Sequence, residues 1–155
     1  MKKFKGFTLI ELIVVIAIIG VLAAILVPSM IGYVGDSKYG SANSNAKLAY
    51  TNTATWCTKC EVNGKSVTVE AFTAGDISTP VDVETIEYDG TKAADLTNAL
   101  CNLMGGKTNS GEVCGAIAKQ SPVWTQWRKN SSDLYVGSYP TESSAKNPAT
   151  YGTEL

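Results

Sequence analysis

There is no histidine anywhere in the chain, so the commonest general base and the commonest metal ligand are both missing. No glycine-rich phosphate loop follows a candidate strand, and the scattered acidic residues make no recognisable calcium loop. An excess of either charge is lacking too, with 13 Lys and Arg against 14 Asp and Glu. Lys2, Lys3 and Lys5 lie in the first five residues, and setting them aside leaves 10 basic against 14 acidic side chains. A mildly acidic remainder has no electrostatic footprint for nucleic acid. The expectation is a chain with no catalytic residue, no cofactor and no specific nucleic-acid partner.

What is present is concentrated at the N-terminus. Phe7 to Val27 is a run of 21 residues whose only charge is Glu11. As a helix rising about 1.5 Å per residue, it is long enough for the roughly 30 Å of a bilayer core. The preceding lysines hold the N-terminus in the cytoplasm and send the rest outward. The apolar stretch exceeds a secretory h-region of about 7–15 residues, and no small-x-small cleavage pattern follows it. An ordinary anchor gives no reason to keep a carboxylate that costs roughly 2.5–3.5 kcal/mol or more at the bilayer centre. Glu11 therefore points to a specific partner.

Gly6, Phe7, Thr8, Leu9, Ile10 and Glu11, with a basic leader before them and an apolar run after, resemble the class III signal of type IV pilins and of the pseudopilins of type II secretion and competence systems. The resemblance is specific over residues 1 to about 30. It implies cleavage after Gly6 by a prepilin peptidase, methylation of the new terminal amine of Phe7, and pairing of Glu11 with the Phe7 amine of a neighbouring subunit. It also implies that Gly20 and Pro28 loosen the helix on assembly. Pro28 removes a backbone donor and disfavours helical geometry at Val27, so a kink or a melted stretch is expected between Gly20 and Pro28. Ala17, Gly20, Ala23 and Ala24 leave a narrow surface for close helix approach.

The remainder is rich in Thr, Ser, Asn, Ala and Gly. Ile31, Val34, Ala42, Ala49, Thr53 and Trp56 fit one face of a continuing helix. Val67, Val69 and Ala71 alternate as a short strand, and Val81, Val83 and Thr85 as a second before the Asp89-Gly90 turn. Thr91 opens a short helix presenting Leu96, Leu100 and Leu103, with Gly105-Gly106 as its stop. Val123 to Lys129 and Leu134 to Tyr139 form a hairpin around Asn130 to Asp133. The tail from Pro140 to Leu155 has few large apolar residues and either lies over the sheet or stays mobile. The expected fold is α+β: a long N-terminal helix, half membrane-spanning and half amphipathic, packed on a small, mainly antiparallel sheet in the manner of type IV pilins.

Four cysteines complete the pattern. Cys57 and Cys60 form C-x-x-C at the end of the long helix, while Cys101 and Cys114 follow far along the chain. Two structural disulfides in an oxidising space are the favoured reading, cross-pairing Cys57 and Cys60 with Cys101 and Cys114. A four-thiolate zinc site on the same residues and a redox-active C-x-x-C are the alternatives.

The expected organisation is a leader over 1–6, a membrane and filament-core helix over 7–28, and a globular head over 29–155. The expected function is that of a pilus subunit, held in the cytoplasmic membrane as a precursor and then polymerised by the pilus assembly machinery into a helical homo-oligomer on the cell surface. A pseudopilin of a secretion or competence machine is the alternative within the family. A membrane-anchored thiol redox or zinc-binding protein is the alternative outside it.

Overall fold

The computed structural model describes residues 6–77, 86–104 and 111–155. The basic leader, the expected strand at Val81 to Thr85 and the Gly105-Gly106 stop lie outside these residues. The element order is α1 (Leu9–Val62), β1 (Ala71–Asp76), α2 (Ala93–Leu103), β2 (Glu112–Ala118), β3 (Ser121–Arg128) and β4 (Gly137–Tyr139). The chain divides into two compact units, Met1–Gly35 and Asp36–Leu155.

In the first unit every described residue but Gly35 is exposed, including the whole apolar run. The helix continues through Gly20 and Pro28 without a break, so the single chain has no melted stretch there. Proline removes one hydrogen bond of the ladder, while the isoleucine, leucine and valine residues around it have no competing partner for their backbone groups. The small side chains expected to form a packing surface are open, and a Cβ built on Gly20 meets nothing within 4 Å.

The second unit contains the core. Along α1, Ala42, Ala46, Ala49, Thr53, Trp56, Cys57 and Cys60 are buried, a spacing of three and four that gathers them on one face. Ile31 and Val34, read from sequence as the start of that face, are 71% and 50% exposed. The buried face begins at Ala42. Its alanines let the sheet approach the helix backbone closely.

The sheet is an antiparallel meander in the order β1-β2-β3-β4. Register places Ala74 beside Val113 and Val113 beside Trp127, and all three belong to the core with α1. Phe72, two residues before Ala74 on β1, is buried with them. Thr125, two residues before Trp127 on β3, donates its hydroxyl to the Ala46 carbonyl at 2.7 Å and so bonds sheet to helix. Gly137 of β4 meets α1 most tightly, because a Cβ there would overlap the Ala42 carbonyl group. In α2, Leu96, Ala99, Leu100 and Cys101 are buried, whereas Leu103 is 39% exposed.

The strand expected at Val67 to Ala71 is displaced toward the C-terminus and begins at Ala71. Groups distant in sequence take its ladder donors: the Val67 amide donates to Gln120 Oε1 and the Thr68 amide to the Gly90 carbonyl. The expected C-terminal hairpin is present as β3 and β4, with β4 only three residues long. Strand β2, which pairs with both β1 and β3, was not anticipated.

The tail is ordered over the outer face of the sheet. Gln126 is fully buried, donates from Nε2 to the Thr153 carbonyl and accepts from the Gly152 amide. The Arg128 guanidinium lies over the Tyr151 ring and pairs with Glu112. Asn43 ties the tail to the helix: its Oδ1 accepts from the amides of Ser138 and Ser143 at 3.0 and 3.2 Å. Its Nδ2 donates to the Ser143 carbonyl at 2.8 Å.

Candidate functional site: an exposed apolar helix with one carboxylate

Thr8 and Glu11 open α1 with reciprocal bonds. The Thr8 amide and hydroxyl both donate to Glu11 Oε2, at 2.8 and 2.6 Å, and the Glu11 amide donates to the Thr8 hydroxyl at 3.3 Å. This is a capping box, in which an N-cap threonine and a glutamate three residues later satisfy orphan donors of the first turn. The signal, Thr-x-x-Glu before an apolar run, was in the sequence and was passed over. Glu11 therefore has a local use that an ordinary anchor would also have. Both bonds fall on Oε2, and Oε1 accepts none among the described residues.

Around this carboxylate the surface is apolar. Phe7 is 84% exposed, and Leu9, Ile10, Leu12, Ile13 and Val14 are exposed with it. The helix is long and apolar enough to cross a membrane. An isolated soluble chain gains nothing from such a surface, which requires lipid or other helices to cover it. Gly6 precedes the helix in irregular, exposed structure, and Gly20 and Pro28 lie within it.

A model for the prokaryotic N-terminal methylation motif matches residues 1–27. The chain is 53% identical over 47 residues to a type IV major pilin protein of Myxococcus xanthus, covering 30% of this chain and 21% of that one. It is 46% identical over 54 residues to a type IV wide pilus major component of Thermus thermophilus, covering 35% and 37%. The chain thus spans well under half the length of these two relatives. Fimbrial protein Q of Moraxella bovis matches much further, 31% identical over 138 residues, 81% of this chain and 86% of that one. The chain belongs to the type IV pilin family. No solved structure matches this pilin.

All four cysteines of the pilin are buried, and Cys57, Cys60 and Cys114 carry thiols. Cys57, Cys60 and Cys101 lie in the core with α1 and α2. Cys114 points the other way, under the tail, with its Sγ 3.6 Å from Gln126 Oε1. The strand alternation that buries Val113 against α1 turns Cys114 to the opposite face. The structure therefore does not gather the four at one point, neither as a zinc site nor with Cys114 beside Cys57 or Cys60. Burial, and then the neighbouring Cys60, push the Cys57 thiol up to about 11. Burial also raises Cys60 and Cys114. These are the surroundings of an inert thiol, opposite to those that activate a redox cysteine.

Proposed function

We propose that this chain is the structural subunit of a type IV pilus, cut after Gly6, methylated at Phe7 and polymerised through its apolar helix. The observation that carries the proposal is an apolar run from Phe7 onward, helical from Leu9, that no described residue covers and that one carboxylate interrupts beside the methylation motif. Residues 1–6 are the leader, 7–28 lie in the cytoplasmic membrane before assembly and in the filament core after it, and 29–155 form the head. A prepilin peptidase and the pilus assembly machinery act on it. No catalytic role is assigned to it. The buried thiols weigh against a redox function.

Glu11 then has two uses that draw on different oxygens. Oε2 caps its own helix, and Oε1 is available to the methylated Phe7 amine of a neighbour in the apolar interior. A charge pair in such surroundings fixes axial register, because a subunit displaced along the axis leaves both charges buried and unpaired. Gly20 and Pro28 supply a stretch whose helix is weakened by a missing donor and a missing side chain, so it can extend as subunits pack.

The test separates the two uses. Glutamine serves at the third position of a capping box as glutamate does, so Glu11→Gln keeps the cap and removes the charge. Glu11→Gln and Glu11→Ala should both reach the membrane and both fall at least tenfold in sheared surface filaments. Wild-type assembly of Glu11→Gln would remove the charge from the mechanism and leave Glu11 a cap. Intact mass of the wild-type sheared fraction should show a subunit beginning at methylated Phe7. Recovery only from membranes with Met1 to Gly6 attached would end the pilin reading, and a processed, cell-associated protein required for secretion would favour a pseudopilin.

A further inference from the structure

The residues leading into α2 and its first turn bring Glu87, Asp89 and Asp95 together, with one carboxylate oxygen from each within 4.8 Å of the others. Acidic clusters are common on surfaces, and two of these residues are accounted for locally. Asp89 accepts from the Thr91 amide and hydroxyl at 2.8 and 2.9 Å. Lys92 Nζ lies 2.9 Å from Glu87 Oε2 and 3.7 Å from Asp89 Oδ2. Asp95 is different. It stands in the first turn of α2, is only 8% exposed, and its Oδ2 is buried without a hydrogen-bond partner among the described residues.

A buried carboxylate oxygen normally has a donor or a cation. Here its charged companions are two more carboxylates and Lys92, whose ammonium is within bonding distance of Glu87 and Asp89 and acts on Asp95 through its charge. Three negative charges face one ammonium, so the cluster retains a net charge of about −2. We propose that Glu87, Asp89 and Asp95 bind a divalent cation, calcium, between the residues leading into α2 and its first turn.

The donor set is all oxygen, which suits a hard cation and not zinc. Ligand oxygens about 2.4 Å from a calcium ion lie up to about 4.8 Å apart, so oxygens within 4.8 Å of one another need only small side-chain shifts to close on one. Calcium also tolerates irregular geometry and completes its shell with water, and Glu87 and Asp89 are open enough to admit it. The Lys92 side chain is 57% exposed and can swing into solvent as the ion enters. Gly90, between Asp89 and α2, is fixed in place: it has φ +78, a Cβ there would meet the Ser66 carbonyl, and its own carbonyl accepts from the Thr68 amide at 2.8 Å. The cation would then tie residues 87–92 to α2 through a carboxylate oxygen that the described residues leave unsatisfied.

The experiment uses the full chain in detergent, stripped with chelator and dialysed against calcium. Saturable uptake of one calcium per chain is expected, with a rise of several degrees in the unfolding temperature at saturating calcium. Asp95→Asn should lower affinity at least tenfold while unfolding in chelator no lower than wild type, which shows it still folds. Lys92→Met should raise affinity severalfold by removing the competing ammonium. Absence of saturable binding, or wild-type affinity in Asp95→Asn, would overturn the proposal. Either result leaves filament assembly, measured separately on sheared material, untouched.

Discussion

Replacing Asn43 with alanine should loosen the whole head, because one side chain there serves three segments. Asn43 is 8% exposed and sits on the buried face of α1. It takes the amides of Ser138 in β4 and Ser143 in the tail, and gives one hydrogen to the Ser143 carbonyl. A fourth bond, from the Ser143 hydroxyl at 2.8 Å, is shared, since that single proton also points at the Val136 carbonyl. Three full bonds and part of a fourth, at a net of about 1 kcal/mol each, make a loss of roughly 3–4 kcal/mol. For a unit of about 120 residues this corresponds to a fall of roughly 10–15 °C in Tm. The assay is near-ultraviolet circular dichroism of the detergent-solubilised chain on heating, with limited proteolysis of residues 140–155 in parallel. Ser44→Ala next door is the control: its hydroxyl bonds only to the Gly40 carbonyl on an exposed surface, and the shift should stay within about 2 °C. A drop of less than about 3 °C in Asn43→Ala, with the tail still protected, would refute the view that this asparagine joins helix, strand and tail.

Gly137→Ala should cost roughly 2–3 kcal/mol in chemical denaturation, because its Cβ would overlap the Ala42 carbonyl and force β4 away from α1. Burial raises the Asp95 carboxyl above its ordinary 3.8, so the folded state holds that proton more tightly than the unfolded state. Stability from this group is then present in acid and lost as pH rises through the folded value. Without calcium, Asp95→Asn should therefore unfold above wild type at pH 7, with the gap closing as pH falls toward 3.8, as read by melting curves across pH. With its thiol pushed up to about 11, Cys57 should be alkylated by iodoacetamide at pH 7.5 at least a hundredfold more slowly in native than in denatured protein, as followed by peptide mass. Lys119→Asn should raise Tm slightly, since Lys119 holds a left-handed φ of 49 that asparagine adopts more readily.

Much of the architecture was legible because its signals are local. A 21-residue apolar run with one carboxylate reads as a membrane-length helix from composition alone, and leucines at 96 and 100 mark the buried side of α2. The β2–β3 hairpin was not legible, for a physical reason. Its two-residue turn uses Lys119 and Gln120 at φ 49 and 65, where the usual sequence signal is Asn-Gly or Asp-Gly. Pairing on both sides and burial against α1 hold that turn in a conformation its own residues disfavour. The capping box of Thr8 and Glu11 is also local, written as Thr-x-x-Glu before an apolar run.

By itself the sequence determined the apolar helix, the N-terminal methylation motif, the position of the lone carboxylate and the α+β class, since each follows from spacing within a few residues. Only the tertiary structure decided that the helix face begins at Ala42, that Cys114 lies across the sheet from Cys57 and Cys60, and that the polar tail is bonded down by Asn43 and Gln126. It also decided that Asp95 is buried beside two other carboxylates. These depend on which residues distant in sequence meet, and such meetings are set by sheet register and helix approach rather than by any local pattern.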